Sequence, residues 1–484
     1  MEEEEEASLH VVVFPWLAMG HLVPFLHLSK CLASRGHRIS FISTPRNLAR
    51  LPKVPSKLLP LLHLVSLTLP HVDGLPDKAE SSMDIRPQQA QLLKIAFDLL
   101  KPLLATLLQT LSPKPDWIVY DYASHWLPPI AAELGISHAF FSLFTAATMA
   151  FFGPPSSSSS LSSTMVNTRT TPEDFTVVPA WVPFKSDVVY RLHEVKTFVE
   201  VSSGKTKNSG VSDIERFAVS VGESDVVLFR SCAEFEPEWF DLIHELYQKK
   251  PVVSVGFLPP SVTGQEEKDD DGDERWIEIK GWLDEKRANS VVYVALGSEA
   301  TLSRDELGRL ALGLEQSELP FFWALRKPPE SDQEAVEMLP EGFLERVTAE
   351  NRGRVYVEWA PQVKILGHAA VGGFLTHCGW NSVIEGLSFG RVLILFPVMN
   401  DQGLNARLLE GKKLGLEIRR EGEDGWFSSE LVAETVRKAV VSEAGESLRV
   451  KSARVGAPLF GDKEVNRSHV DRFVRFLVEW RERG

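Results

Sequence analysis

Cysteine is scarce in this chain. Its 484 residues contain three cysteines, Cys31, Cys232 and Cys378, which are far apart and form no CxxC pair. A set of this kind provides neither a disulfide framework nor a cysteine metal site. Free, buried thiols in a reducing compartment are the usual interpretation. The cysteine content therefore predicts a cytoplasmic protein.

An excess of basic residues is also missing. The net charge is -14 at neutral pH, and the isoelectric point is about 5.5. Nucleic acids and anionic membrane surfaces select proteins with basic patches, so neither is expected as a partner. A small anionic ligand remains compatible with this charge, because a local site can be positive inside an acidic protein.

Long apolar runs and targeting signals are absent as well. The chain begins MEEEEEASLH, whereas a secretory signal begins with basic residues. The apolar stretch from Leu9 to Ala33 is interrupted by Pro15, Gly20 and Lys30. Such interruptions are typical of a strand, a loop and a helix rather than of a membrane span. We expect no membrane insertion.

Two nucleotide-binding fingerprints are missing. No predicted strand is followed by GxGxxG, and GxxxxGK[ST] does not occur. Their absence disfavours an NAD-dependent oxidoreductase and a P-loop protein. The run DDDGD at 269–273 is similar to the acidic triplet that binds a divalent metal in some sugar-nucleotide enzymes. No strand precedes it and charge runs are usually solvated, so we predict neither a metal site nor a cofactor.

What the chain does contain is an alternation of strands and helices. With 44% hydrophobic and 24% charged residues, its composition is globular, and its length suggests two or three domains. Near the N-terminus, a strand, a loop, a helix with an apolar stripe and a second strand predict a βαβ unit and a parallel sheet. The predicted strands are HVVVFP, HRISFIST, DWIVYD, HAFFSL and DVVLFR in the first half, and SVVYVAL, FFWAL, RVYVEW, VGGFLTH and VLILFP in the second.

The alternation predicts an α/β fold with two doubly wound, Rossmann-like domains facing across a cleft. We place the first domain at 1–250, an interdomain linker at 251–275 and the second domain at 276–465. An amphipathic helix at 466–484 is expected to pack back on a domain. The serine-rich segment 153–174 is expected to be a mobile surface loop, which either borders a substrate mouth or is a plain insertion.

Polar residues are concentrated where one predicted strand becomes a helix, in THCGWNSVIEG at 376–386. Ligands of open parallel sheets bind at the carboxyl ends of the strands, and a helix N-terminus offers N–H groups that suit phosphate. Gly379 lets the backbone come close to a ligand. A carboxylate at Glu385 can accept two hydrogen bonds from a ribose diol, and Trp359 at another strand end offers a flat surface for a base. The side-chain donors at the turn are His377, Asn381 and Ser382.

Each of these residues also has an ordinary structural interpretation. A strand-end tryptophan such as Trp359 is more often a core residue. A histidine such as His377 is structural about as often as it is a ligand, and Glu385 can be a plain surface residue of a helix. Their joint placement at one sheet edge favours a nucleotide that carries phosphates and a further group beyond them.

A longer segment carries a family resemblance. Residues 359–402 read WAPQVKILGHAAVGGFLTHCGWNSVIEGLSFGRVLILFPVMNDQ. This segment closely resembles the signature box of plant UDP-sugar-dependent glycosyltransferases, the small-molecule class with a GT-B fold. FPWLAMGHLVPFLHLSKCLASRGHRISFISTPRN and SVVYVALGSE are also similar to that family, as are the domain order and the length. The resemblance covers nearly the whole chain except the serine-rich loop and the linker.

The resemblance implies roles for the matching positions. The N-terminal domain would bind the acceptor and the C-terminal domain the UDP-sugar, with Trp359 stacked on uracil and Glu385 on the ribose hydroxyls. Glutamine at the last box position is loosely associated with glucose donors. The other implied donor contacts are the Ala360 backbone and Gln362 at uracil or ribose; Ser298, His377, Asn381 and Ser382 at the diphosphate, with Gly379 allowing close approach; and Trp380, Asp401 and Gln402 at the sugar.

His21 is the predicted general base. It follows the first strand in GHLVP, in a loop where ligands of that sheet should lie and at the place of the family's base. A neutral imidazole can accept the proton of a hydroxyl group near pH 7. Asp121, which ends DWIVYD, is the predicted partner that orients the imidazole. His125, expected on the following helix, is the alternative base.

The implied reaction is an inverting sugar transfer to a hydroxyl group of a small hydrophobic or glycosylated acceptor. The N-terminal segment most resembles the branch that adds a sugar to a flavonoid or terpenoid glycoside. An aglycone acceptor and UDP-rhamnose or UDP-galactose as donor remain alternatives to glucose transfer. A sugar-nucleotide epimerase and a non-catalytic UDP-sugar-binding protein are alternatives of other classes. Thr145 either touches the sugar or acceptor or packs in the core, and the oligomeric state is unknown.

Overall fold

The computed structural model of the chain describes residues 8–155, 169, 171–196, 209–248, 250–260, 273–297, 299–300, 302–326 and 335–483. Ser298 and most of the serine-rich loop and of the acidic run lie outside the described residues. The predicted linker is described only at its two ends.

The described strands of the first half form one parallel sheet. They lie in the order β3-β2-β1-β4-β5-β6-β7, and each pair of neighbours is parallel. The order reverses between β1 and β4, which opens a crevice at the carboxyl ends of these strands. The strands are β1 (His10–Phe14), β2 (Arg38–Ser43), β3 (Leu62–Ser66), β4 (Trp117–Tyr120), β5 (Ser137–Ser142), β6 (Val226–Phe229) and β7 (Val252–Ser254).

Helices connect these strands and bury their apolar stripes against the sheet. In the first of them, Leu22, Phe25 and Leu26 are fully buried, as their spacing of three and four residues predicts. The helices of this half are α1 (Met19–Ala33), α2 (Pro45–Arg50), α3 (Ala90–Asp98), α4 (Lys101–Thr110), α5 (Leu127–Glu133), α6 (Ala146–Phe152), α7 (Asp213–Gly222) and α8 (Pro237–Tyr247).

The second half repeats this plan. Its described strands lie in the order β10-β9-β8-β11-β12-β13, and all neighbours are again parallel. The order reverses between β8 and β11, so this sheet has its own crevice at the strand ends. The strands are β8 (Val291–Ala295), β9 (Phe321–Ala324), β10 (Gly353–Tyr356), β11 (Val371–Thr376), β12 (Val392–Leu395) and β13 (Gly415–Glu417).

The helices of the second half include the two whose N-termini reach that crevice. The capping box predicted from the sequence is present in one of the others, where the Ser303 hydroxyl accepts from the Glu306 amide at 3.2 Å. The helices are α9 (Glu274–Asp284), α10 (Arg304–Gln316), α11 (Phe343–Ala349), α12 (Gln362–Gly367), α13 (Trp380–Ser388), α14 (Gln402–Gly411), α15 (Ser429–Val440), α16 (Glu446–Lys451) and α17 (Lys463–Arg483).

The predicted fold class, two doubly wound parallel sheets, is therefore confirmed. The linker prediction is wrong at its beginning, because Val252–Ser254 is strand β7 and pairs in parallel with β6. The short apolar run PVVSVGF completes the edge of the first sheet before the chain leaves it. Strands β3 and β13 were not predicted, because LHLVS and GLE are too short and mixed to show a clear period.

The chain ends by returning to the N-terminal sheet. A π-helical segment (Ser452–Gly461) leads into α17, whose Phe473 and Leu477 are fully buried in the N-terminal core. The Trp117 indole donates to the Leu477 carbonyl at 3.3 Å. This contact ties the end of the second half to the first. No helix in the described part of the chain is both long enough and apolar enough to cross a bilayer.

Candidate active site

His21 and Asp121 lie together at the carboxyl edge of the N-terminal sheet. The His21 Nδ1 and Asp121 Oδ2 atoms are 2.8 Å apart, and Asp121 directly follows β4. His21 belongs to the first turn of α1 rather than to the preceding loop, which corrects its predicted position. The helix starts earlier because the Ala18 carbonyl accepts from the His21 amide at 2.9 Å.

The aspartate is held rigidly while the imidazole stays accessible. Asp121 is 2% exposed and accepts from the Trp16 amide at 2.8 Å and the Ala123 amide at 3.3 Å. The His21 side chain is 21% exposed. A carboxylate facing Nδ1 favours the tautomer with a proton on Nδ1, which leaves Nε2 as a proton acceptor. The pair therefore has the arrangement of an oriented general base.

His125, the alternative base, has a different environment. It precedes α5 instead of lying on it, which corrects its predicted position. Its Nδ1 lies 3.2 Å from an Nη1 of Arg216, and burial together with this cation lowers the pKa of His125. Arg216 is in turn paired with Asp98. His125 is thus part of a buried charged network beside the dyad.

Trp359 stands out from the C-terminal sheet as a flat exposed surface. β10 ends at Tyr356, so Trp359 lies in the following loop, and it is 62% exposed. One face of the indole is covered by the Arg326 guanidinium, 5.1 Å from the ring centroid. The Ala360 carbonyl accepts from the Gln362 amide at 2.9 Å, and one lone pair of this oxygen remains for the predicted uracil contact.

Gln362 and Glu385 form a hydrogen-bonded group beside this surface. The Gln362 Nε2 donates to Glu385 Oε2 at 2.6 Å and to the Ser382 hydroxyl at 3.3 Å. The Tyr293 hydroxyl donates to Gln362 Oε1 at 3.2 Å. Burial raises the pKa of Glu385, and the hydrogen bond from Gln362 opposes this rise. Three predicted donor-site residues are therefore in direct contact, although they come from α12 and α13.

The turn from β11 to α13 has an unusual backbone. Cys378 adopts a φ of 68°, which is uncommon for a residue with a side chain. Gly379 is the N-cap of α13, and no side chain caps that end. The first amides of the helix are thus left for a ligand, as phosphate binding requires.

His377 is packed between two glycines at this turn. A methyl group placed on Gly379 would lie 2.4 Å from the His377 Nε2 atom, and one placed on Gly297 would lie 2.6 Å from it. Burial lowers the pKa of His377 to about 4, so the imidazole is neutral near pH 7. Its Nδ1 is buried without a hydrogen-bond partner among the described residues. Packing against the histidine therefore requires glycine at position 379, in addition to the close approach of a ligand that the sequence predicts there.

We expect Gly379→Ala to displace His377 and to weaken UDP binding by about tenfold, the value of one charge-assisted hydrogen bond. The Gly379 backbone is in the extended region that alanine also adopts, so the effect is purely steric. Isothermal calorimetry with UDP measures it. The matched control is Gly281→Ala in α9, where an added methyl group meets nothing within 4 Å. Unchanged UDP affinity in Gly379→Ala would show that His377 does not bind the diphosphate.

Trp380 departs from its predicted contact with the sugar. Its indole donates to the Arg230 carbonyl at 2.8 Å, and it is 4% exposed. The ring packs against Phe235, Phe257 and Phe460. The side chain thus fills an aromatic cluster at the domain interface, and only its backbone amide remains for a donor contact.

The Asn381 side chain, which is predicted to hold the diphosphate, contacts the other domain in the structure. Its Nδ2 donates to the Gly20 carbonyl at 2.8 Å, and its Oδ1 accepts from the Arg230 guanidinium. Both partners belong to the N-terminal domain. The side-chain amide therefore spans the cleft instead of facing the helix N-terminus.

Asp401 and Gln402 lie where β12 leads into α14. Gln402 Oε1 accepts from the Val398 amide at 3.0 Å and the Met399 amide at 2.9 Å, which shapes this loop. Asp401 accepts from Asn405 at 2.7 Å. Burial raises the pKa of Asp401 to about 6, and the charge of His21 opposes this rise. His21 and Asp401 are therefore close enough to interact electrostatically.

The raised pKa of Asp401 predicts a pH-dependent donor affinity. An ionised carboxylate accepts stronger hydrogen bonds from sugar hydroxyls than a neutral carboxyl group does, so protonation below about pH 6 would weaken the predicted sugar contact. We expect the UDP-sugar KM to rise as the pH falls from 7.5 to 5. Asp401→Asn, which has no charge to lose, should show a raised KM without this pH step. An identical pH profile in both proteins would exclude a sugar contact by Asp401.

The structure favours one of the two interpretations of Thr145, and it adds Arg230 to the site. Thr145 caps α6, where its hydroxyl accepts from the Thr148 amide at 3.0 Å, and it is fully buried. This favours its structural interpretation. Arg230 was predicted only as the end of a strand. It lies at a carboxyl strand end, and this position was the signal that could have marked it as a site residue.

Three potential metal ligands converge elsewhere in the described residues. Cys232, Glu234 and His469 each bring one ligand atom within 4.8 Å of the others. However, Arg472 Nη2 lies 2.7 Å from His469 Nδ1, where a metal-bound histidine requires an acceptor for its N–H. Burial also raises the pKa of the Cys232 thiol, which disfavours the thiolate. We assign no metal to this group.

Comparison with known proteins matches the sequence and the fold of this chain to one family. A family model described as UDP-glucoronosyl and UDP-glucosyl transferase matches residues 268–443. The UDP-glycosyltransferase 91C1 of Arabidopsis thaliana is 56% identical over 477 residues, which cover 99% of this chain and 98% of the relative. A soyasaponin III rhamnosyltransferase of Glycine max is 38% identical and covers 99% and 97%. The crystal structure of Glycyrrhiza uralensis UGT73P12 shares the fold, with a TM-score of 0.77 at 21% identity over 98% of this chain and 97% of the other.

Proposed function

This chain belongs to the plant UDP-glycosyltransferases, and we propose that it transfers glucose from UDP-glucose to a hydroxyl group of a plant natural product. The acceptor is a terpenoid or flavonoid glycoside, and His21 is the general base. Catalysis takes place in the cytosol, in agreement with three free cysteines.

The observation that carries this proposal is the contact between the two site halves. The dyad of His21 and Asp121 belongs to the first sheet, and the group of Gln362 and Glu385 belongs to the second. The Asn381 amide joins the two at the Gly20 carbonyl, 2.8 Å away. An imidazole beside a nucleotide site fits proton removal from an acceptor placed between the domains.

In the proposed reaction, His21 Nε2 accepts the proton of the acceptor hydroxyl. The oxygen forms a bond to the anomeric carbon while the bond from that carbon to the UDP oxygen breaks. Attack from the side opposite UDP inverts the configuration, so an α-linked donor gives a β-glycoside. Asp121 stabilises the imidazolium that forms, and UDP leaves as the anion.

Stabilisation of the leaving diphosphate falls to the N-terminus of α13 and to His377. The uncapped amides and the positive end of the helix dipole favour an anion. Neutral His377 donates a hydrogen bond without bringing a charge. These groups act where charge develops, so we propose that no metal is required. Turnover that persists in excess EDTA supports this, and its loss contradicts it.

The donor and acceptor assignments have separate support. Gln402 ends the signature box and favours glucose. The relative from Glycine max is named for rhamnose transfer to soyasaponin III, so UDP-rhamnose and a saponin acceptor are the second candidate pair.

One assay separates these candidates from the other reaction classes. Purified enzyme is incubated with UDP-glucose, UDP-rhamnose or UDP-galactose, each crossed with flavonoid and terpenoid aglycones and glycosides. Products are measured by mass. We expect UDP to be released only when an acceptor is present. The expected product is a glycoside acceptor that carries one added glucose. Interconversion of UDP-sugars without acceptor would indicate an epimerase, and UDP binding without turnover would indicate a binding protein.

A further inference from the structure

Arg230 is a buried cation whose electrostatic partner, the Glu385 carboxylate, lies beyond ion-pair distance. It follows β6 and is 2% exposed. Its Nε donates to the Phe257 carbonyl at 2.8 Å, and its Nη2 donates to the Leu258 carbonyl at 3.3 Å. No carboxylate lies within ion-pair distance of it in the part of the chain that the structure describes. Burying a charge without a directly paired counter-charge is costly, and hydrogen bonds to neutral oxygens offset only part of this cost.

The third contact of Arg230 crosses the domain boundary. Its Nη1 donates to Asn381 Oδ1 in the first turn of α13. Asn381 Nδ2 in turn donates to the Gly20 carbonyl. Because both ends of the side-chain amide are used, the orientation of Asn381 is determined by these two partners.

Gly20 connects this pair to the base. It lies in the first turn of α1 and directly precedes His21. A hydrogen bond to its carbonyl therefore restrains the turn that carries the imidazole. The contacts form one path from Arg230 through Asn381 to Gly20, and Asn381 belongs to the same helix N-terminus that is proposed to hold the diphosphate.

We propose that Arg230 is a positioning residue, which orients Asn381 so that the donor-binding helix holds the turn carrying His21 in place for proton removal. This inference rests on the proposed function, because it takes His21 as the base. The guanidinium acts through Asn381 and does not itself touch the substrate.

Geometry gives the expected size of the effect. Misplacement of a catalytic group by about 1 Å can reduce the rate by about 100-fold. A guanidinium has a rigid set of donors and contacts three oxygens here, whereas an ammonium group is a single point of charge. Loss of the guanidinium group should therefore lower kcat more than it weakens nucleotide binding.

The test is a double-mutant cycle of R230Q and N381A in the full chain. We expect R230Q to lower kcat by roughly 10- to 100-fold and to change the UDP Kd much less. In the N381A background the same substitution should have little further effect on kcat, because the path is already broken. Equal losses of kcat in both backgrounds would overturn the inference. A loss of UDP affinity without a loss of kcat in R230Q would also overturn it, because that result would mark Arg230 as a direct ligand of the diphosphate.

Two further variants keep the result interpretable. R230K retains the positive charge but lacks the rigid set of guanidinium donors. Full activity in R230K would overturn the inference. If R230Q does not fold, the cycle is run with R230K. R191Q removes a different ion pair between the domains, Arg191 with Glu417, and we expect it to lower Tm while kcat stays near that of the wild type.

A second readout separates failure of this inference from failure of the proposed function. If the wild type shows no sugar transfer, the proposed function is wrong. The Arg230 and Asn381 contact is then judged from Tm in the same cycle, where non-additive losses support it and additive losses overturn it.

Discussion

His21→Ala is expected to lower kcat by about 10²–10⁴-fold, the usual effect of losing a general base, while UDP affinity stays nearly unchanged. The acceptor hydroxyl would then lose its proton only to water. UDP affinity should be retained because the residues predicted to bind the donor, such as Gln362 and Glu385, belong to the other domain. Initial rates under saturating donor and calorimetry with UDP measure the two quantities.

Asp121 provides the matched test of the dyad. Asp121→Asn keeps the size of the side chain but removes the charge that stabilises the imidazolium. We expect a loss no larger than that of His21→Ala, and the double variant should be no slower than His21→Ala alone, because the two residues act as a unit. Losses that multiply would show that they act separately.

His125→Asn is the control for the alternative base. His125 faces Arg216 at 3.2 Å, and its lowered pKa reflects that buried network. We expect a smaller rate loss than for His21→Ala. A turnover near that of the wild type in His21→Ala, with a large loss in His125→Asn, would transfer the base assignment to His125.

Glu385→Ala is expected to raise the donor KM by about 10- to 100-fold, because hydrogen bonds to a charged group contribute about 1.5–3 kcal/mol. The carboxylate is held by Gln362 at 2.6 Å, and this contact would orient it for the predicted hydrogen bonds with the ribose hydroxyls. Because the ribose does not react, its contacts act equally on the ground and transition states, and kcat should change little.

A substrate analogue makes the ribose assignment specific. The wild type should bind 2′-deoxy-UDP or 3′-deoxy-UDP more weakly than UDP, whereas Glu385→Ala should bind all three about equally. Glu385→Gln, which keeps one carbonyl acceptor, should lie between the wild type and Glu385→Ala. An unchanged donor KM in Glu385→Ala, or the same preference for UDP in both proteins, would remove Glu385 from the ribose site.

Much of the fold could be predicted from the sequence. The predicted strands all lie on or next to observed ones, because each is a short apolar run bounded by polar residues. The capping box at Ser303 could also be predicted, because it depends on two residues that are three positions apart. The edge strands β3, β7 and β13 were missed because their stability comes from pairing with a neighbour rather than from their own pattern.

The site could be predicted in composition but not in all its contacts. Position at strand ends predicted that His21 and Asp121 lie together, and the structure shows this contact, as it shows the contact of Gln362 with Glu385. The same rule placed Trp380 and Asn381 at the turn but not the direction of their side chains. Their partners are Arg230 and Gly20, which lie in the other domain.

Secondary structure and the two-domain fold class follow from patterns of neighbouring residues, so periodicity could predict them, whereas the roles of the donor-site residues stay predictions that rest on the family resemblance. The bridge from Arg230 through Asn381 to Gly20 joins positions 151 and 361 residues apart. Only the packing of the two domains against each other brings such positions together. Hydrogen-bond partners depend on distances of about 3 Å, and no local pattern carries that information across two domains.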